Sequence, residues 1–127
     1  MRKLVIVSVI AVILAGLSIT GLQTGASNAY ADSPDANGNI TIEASSNVFN
    51  PSTITVLAGQ TLNVTFQNDD AGIQHNLVFD NPDVAFDLCS DVCSQTITFN
   101  APTTPGTYRF VCQVHAYLRM GGTLVVQ

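Results

Sequence analysis

Positive charge is what this chain has least of. Its 127 residues hold four lysines and arginines against nine acids, and two of those bases, Arg2 and Lys3, stand ahead of an apolar run from Leu4 to Leu22. Past that run only Arg109 and Arg119 remain, so the rest of the chain carries a net charge of about −7. No basic stripe is left to neutralise phosphates, which excludes nucleic-acid binding. Helical periodicity is missing as well, and with it the crossovers that a parallel sheet usually requires. Histidine is reduced to His75 and His115, and cysteine to Cys89, Cys93 and Cys112.

The N-terminal segment reads as an address. Two bases, an uncharged apolar run and small residues through Ala29-Tyr30-Ala31 form the layout of a secretory signal or an uncleaved anchor over residues 1–31. The run is long enough to span a bilayer core of about 30 Å, yet Ser18, Thr20 and two glycines interrupt it, and Ala26 and Ala31 offer small-residue cleavage sites. No cysteine stands near its end, so lipid attachment there is not supported. Either reading places the remainder of the chain outside the cytoplasm: in the periplasm or on the outer face of the cytoplasmic membrane, with any membrane contact made through the anchor alone. A linker of Gly, Ser, Asn, Asp, Pro and Ala reaches to about residue 39, and the domain is expected over 40–127.

Within that domain apolar residues alternate with polar ones: Ile40 and Ile42, Leu62, Val64 and Phe66, Ile97 and Phe99, Tyr108 and Phe110, Leu124 and Val126. Period two with β-branched and aromatic residues marks half-buried strands. Turn signals separate them at Asn50-Pro51, Ala58-Gly59, Asn68-Asp69-Asp70, Asn81-Pro82, Pro105-Gly106 and Gly121-Gly122. The fold class is therefore all-β, an antiparallel sandwich or barrel of short strands. The stretch from Asp80 to Asp91 fits neither period and reads as a surface excursion with room for one helical turn.

An odd number of cysteines in an oxidising compartment leaves one unpaired. Cys89 and Cys93 stand four apart in a polar segment and are expected to form a local disulfide, worth roughly 2 kcal/mol on the chain-entropy model; a second metal or redox pair is the alternative. Cys112 ends an apolar, strand-like run and is left over as a lone buried thiol. From it the chain reads Cys112-Gln113-Val114-His115-Ala116-Tyr117-Leu118-Arg119-Met120, while His75 opens an upstream strand in Gln74-His75-Asn76-Leu77. Thiolate and thioether are soft donors and imidazole suits copper; two histidines and a cysteine with a weak axial methionine make an electron-transfer copper site. The lone thiol then has its reason, because a metal-bound thiolate is protected from pairing. Zinc fits less well, since structural zinc sites favour several cysteines and rarely use methionine.

With the His75-Asn76 pair, the Tyr-x-Phe-x-Cys approach at Tyr108, Phe110 and Cys112, the Cys-His-Met spacing and Gly121 starting the final strand, the chain resembles the cupredoxins, most nearly the plastocyanin branch, from about Ile40 to Gln127. The resemblance implies an eight-stranded Greek-key sandwich and one type 1 copper held by His75, Cys112, His115 and Met120. It implies that the Asn76 side chain ties the two ligand loops together, and that an edge of His115 is the port for electrons within an apolar patch. Three features depart from plastocyanins. Val111 stands where they often carry Tyr, the loop holds the bulkier Ala116, Tyr117, Leu118 and Arg119, and the Cys89 and Cys93 pair is foreign to them.

The expected function is an exported, monomeric one-electron carrier cycling Cu(II) and Cu(I) between redox proteins; the alternative is a copper-binding or scavenging protein without turnover. A catalytic copper needs further histidines, and both are already used, so an enzyme is not expected. A binuclear centre would need a second cysteine on the ligand loop. The acids Asp69, Asp70, Asp80, Asp83, Asp87 and Asp91 form either a merely solvated surface or one that docks a partner with a basic face. Gly121-Gly122 is expected as turn chemistry, and Gln74, Gln113 and Tyr117 as rim residues without an assigned role.

Overall fold

The computed structural model describes residues 31–127, so the expected export segment before them lies outside the described residues. Among the described residues no helix is long and apolar enough to cross a membrane. Two sheets face one another. One holds β1 (Ala31–Asp32), β4 (Thr53–Val56), β10 (Gly121–Val126), β9 (Gly106–Val111), β6 (Val78–Phe79) and β7 (Val84–Ala85) in that spatial order; the other holds β3 (Val48–Asn50), β2 (Asn39–Ser45), β5 (Thr61–Asn68) and β8 (Cys93–Asn100). The structure has ten strands where the resemblance implied eight, and three of the ten are only two residues long.

Alternation in the sequence becomes alternation in burial. Ile40, Ile42 and Ala44 of β2 and Leu62, Val64 and Phe66 of β5 point into the sandwich, while the residues between them face outward or lie half-exposed. Aromatic rings join the two layers: Phe49 meets Phe110 at 5.6 Å between centroids, and Phe79 meets Phe99 at 5.2 Å. Each fully buried ring contributes about 1.5–3 kcal/mol through the apolar area it removes from water.

Both sheets are mixed, which corrects the antiparallel expectation. β1 with β4, β4 with β10, and β2 with β5 run parallel, whereas β9 with β10 and β5 with β8 are antiparallel. A parallel pair needs a long crossover. Between β2 and β5 the chain pairs back through β3 and then passes to the opposite sheet as β4, so strands supply the crossover that a helix would otherwise make.

Two smaller expectations also change. Gly121 starts β10, as the resemblance has it, and Gly122 continues that strand rather than making a turn; a Cβ on Gly122 would run into the Phe110 ring and the Ser52 carbonyl. Glycine is required there to seat a core aromatic. The stretch from Asp80 to Asp91 contains no helical turn; it carries β7 and drives Phe86 into the core against Phe66 at 5.8 Å. The one helical turn among the described residues is a 3₁₀ turn over Ala116–Leu118.

Candidate metal centre

The centre is assembled at one end of the sandwich from the β9–β10 hairpin loop and a second loop of equal length. Strands β9 and β10 pair with Val111 opposite Gly121, so Cys112 and Met120 stand at the two mouths of the loop between them. The Cys112 amide donates to the Met120 carbonyl at 3.0 Å and closes that mouth. Inside it, the His115 carbonyl accepts from Leu118 N at 2.9 Å and from Met120 N at 3.3 Å, and Arg119 in a left-handed conformation (φ 61°) turns the chain back toward β10. Backbone bonds thus close the short run of chain that carries a thiol, an imidazole and a thioether.

His75 arrives from the other loop, between β5 and β6. The buried Asn68 side chain winds that loop: its Nδ2 donates to the carbonyls of Ile73 at 2.8 Å and Asp91 at 3.0 Å, and its Oδ1 accepts from Asp70 N at 3.0 Å. His75 and Cys89 then exchange backbone hydrogen bonds at 2.9 and 3.0 Å, which tie His75 to the excursion where Cys89 and Cys93 are disulfide-bonded. The two loops that carry these donor atoms are joined by Asn76. Its Oδ1 accepts from Gln113 N at 2.8 Å and its Nδ2 donates to Gln113 Oε1 at 3.0 Å.

The result is a triangle of donor atoms. Cys112 Sγ lies 3.8 Å from His75 Nδ1 and 3.7 Å from His115 Nδ1, and the two nitrogens are 3.1 Å apart. A point equidistant from the three is about 2.1 Å from each, the reach of a bond from nitrogen or sulfur to a first-row metal. His75 and Cys112 have no exposed surface and Met120 is buried beside them, whereas His115 is half-buried at the rim. The donor set is soft and shielded from water, which fits copper and not a hard cation. Cys112 is the free cysteine of the described residues.

Sequence reasoning does not find Asp70 or Gln113. Asp70 reads there as one of the surface acids, yet its Oδ2 sits 2.9 Å from His75 Nε2. That hydrogen bond is the main cause holding its carboxyl below the ordinary aspartate value, with the Ser46 amide assisting and burial opposing. The Asn-Asp-Asp turn signal places Asp70 in a loop, and its position five residues before His75 is the further clue. Gln74 donates to Ser90 Oγ at 3.3 Å. Tyr117 and Leu118 are exposed beside His115, the tyrosine ring 6.2 Å from the imidazole. Arg109 and Arg119 line one open cleft of about 370 Å³ next to Met120, so the scarce positive charge is gathered near the centre.

Comparison with known proteins agrees with this geometry. The Cupredoxin-like domain family matches residues 9–126, and the chain belongs to that family. Within it the likeness runs to plastocyanins: that of Scenedesmus fuscus is 39% identical over 88 residues, covering 63% of this chain and 87% of that protein. Among solved structures, reduced auracyanin from Roseiflexus castenholzii superposes with a TM-score of 0.64 at 28% identity, over 71% of this chain and 97% of that one. Auracyanin A from Chloroflexus aurantiacus, described as a "blue" copper protein, gives 0.62 at 26% identity over 70% and 98%. The chain is a plastocyanin-like cupredoxin whose cofactor is copper.

Proposed function

We propose that the chain is an exported one-electron carrier in which His75, Cys112, His115 and Met120 hold a single type 1 copper. The donor triangle carries this reading: three buried or half-buried donors of the right softness, set by backbone and side-chain hydrogen bonds at metal-bonding separation. Copper bound there supplies a Cu(II)/Cu(I) couple. The protein's part is to hold the donors still. Cys112 offers a thiolate that favours a soft ion, Met120 a weak fourth donor, and neither loop has to move, because each is closed by its own hydrogen bonds. A site that rearranges little between oxidation states exchanges electrons fast.

His115 is the route for that exchange. It is the ligand that reaches the surface, and Tyr117 and Leu118 place apolar area around it for a partner to cover. The partner is a redox protein with a basic face, drawn by the acidic surface and docking on a monomer; complementary charge mainly raises the rate of association. The site of action is the periplasm or the outer face of the membrane, and no catalytic role is assigned, because both histidines are used by one copper. Copper-loaded protein should show an intense visible thiolate-to-copper band that Cys112→Ser abolishes; a colourless Cu(II) complex of the parent chain would defeat the reading. Electron exchange with a cationic redox protein should slow as ionic strength rises, and a flat response would remove the electrostatic part.

A further inference from the structure

We propose that Asp70 is the tuning residue of the metal centre: its carboxylate fixes the His75 ring with Nδ1 toward the metal, strengthens that nitrogen as a donor, and so favours Cu(II) over Cu(I). The inference rests on the copper-carrier reading above. It begins with what a carboxylate can do. Ionised, it only accepts hydrogen bonds, so at 2.9 Å the proton between the two groups belongs to His75 Nε2. Nδ1, facing Cys112 and His115, is left with its lone pair free. Ligating histidines commonly donate their second N–H to some acceptor, and a full negative charge polarises the ring more than a neutral carbonyl does.

The carboxylate is itself held. Its Oδ2 also accepts from Ser46 N at 2.7 Å, and its Oδ1 accepts from Ser45 Oγ at 3.3 Å. Ser45 ends β2, in the sheet opposite the hairpin that bears Cys112 and Met120, and Ser46 comes directly after it, so the carboxylate that aligns the imidazole is anchored at the end of β2. His75 has no exposed surface while Asp70 is 21% exposed at its side chain, so the pair is screened less than one between two exposed groups. His115 has no such partner: among the described residues its Nε2 meets no carboxylate. The charge therefore acts on the buried ligand only, where it biases the oxidation state without blocking the route through the surface ligand.

The test compares two neighbouring acids. Asp70→Asn keeps an acceptor for His75 but removes the charge; Asp69→Asn removes the same charge one residue away, from a carboxylate that accepts from Gln67 and does not touch His75. With copper bound, Asp70→Asn should retain the visible band and raise the preference for Cu(I) about tenfold, the order expected for a partner of a ligating histidine. For a one-electron couple that is about 59 mV upward in reduction potential. Asp69→Asn should shift the same preference less than about twofold, because an exposed charge is screened. Equal shifts in the two variants would overturn the proposal, since any nearby charge would then do. Nitrogen NMR of the metal-free parent chain gives a second readout: His75 should be the Nε2–H tautomer, and an Nδ1–H tautomer would overturn the proposal whether or not the variant folds. Failure of the parent chain to bind copper reversibly would strike the carrier reading instead, and the tautomer would still decide the role of Asp70.

Discussion

The two histidines of this chain sit 3.1 Å apart at their Nδ1 atoms, yet they occupy different surroundings. His75 is sealed beneath the surface, hydrogen-bonded through its backbone to Cys89 and through its ring to an anchored carboxylate. His115 sits at the start of a 3₁₀ turn whose residues are all exposed, with a tyrosine ring as its neighbour on the solvent side. The same side chain is asked for two things. One copy is placed where surroundings can set its donor strength, and the other where a partner can approach it. Separating the tasks lets either be altered without the other, which a pair of equivalent ligands would not permit.

Removing each ring in turn should break the contrast most visibly. His115→Gly opens a gap at the surface, and imidazole added to the solution should enter it and restore the intense visible band. His75→Gly leaves its gap behind a packed shell. Entry then requires an opening of the shell, and each 1.4 kcal/mol of opening raises the imidazole needed about tenfold. A titration of the band against imidazole should therefore give a midpoint for His75→Gly at least about tenfold higher. Equal midpoints would mean that the difference in burial has no bearing on access.

Asn76 joins the two loops through its side chain, beside the pairing of β6 with β9. Asn76→Ala deletes both hydrogen bonds to Gln113 and leaves the Gln113 amide without its acceptor. The expected cost is about 1–2 kcal/mol, and each kcal/mol lowers Tm by about 4–8 °C in a domain of this size. Gln113→Ala should cost less than half as much, because its backbone amide still reaches Asn76 Oδ1. Thermal unfolding of the copper-free protein measures both, and a Gln113→Ala loss equal to that of Asn76→Ala would assign the join to the other side chain.

The contrast between the histidines is only half legible in the sequence. Spacing along one hairpin brings Cys112, His115 and Met120 together, and local backbone bonds suffice to close that loop, so adjacency in sequence translates into adjacency in space. His75 comes from a pattern too, but its environment does not. Asp70 reaches it because Asn68 winds the intervening residues around its amide, and a cluster of turn-forming residues does not encode which oxygen ends up facing which ring. The same limit applies to the sheets. Period two reveals which face of β2 or β5 is buried, but it carries no record of strand direction, and so the parallel pairing of Ile40 with Val64 could not be read from it. Gly122 stands in the same position: a glycine beside a glycine suggests a turn until the Phe110 ring is seen in the space it vacates.

The smallest effect should separate the two loops by pH. Asp91, exposed at the end of the excursion, accepts from Val92 N at 2.8 Å and from Gly72 N at 3.1 Å, and these bonds, the Val92 amide first, hold its carboxyl below the ordinary value of 3.8. A carboxyl whose folded pKa is depressed adds stability that is complete above its unfolded value and is lost as the pH falls through the folded one. The Gly72 bond clamps the His75 loop, whereas the loop from Cys112 to Met120 is closed by backbone groups that do not titrate. Acid should therefore loosen the His75 side first. Urea midpoints of the copper-free parent and of Asp91→Asn should differ at about pH 6 and converge as the pH drops below 3.8, the parent losing its advantage. A difference that persists unchanged at low pH would show that Asp91 acts on the His75 loop by shape rather than by charge.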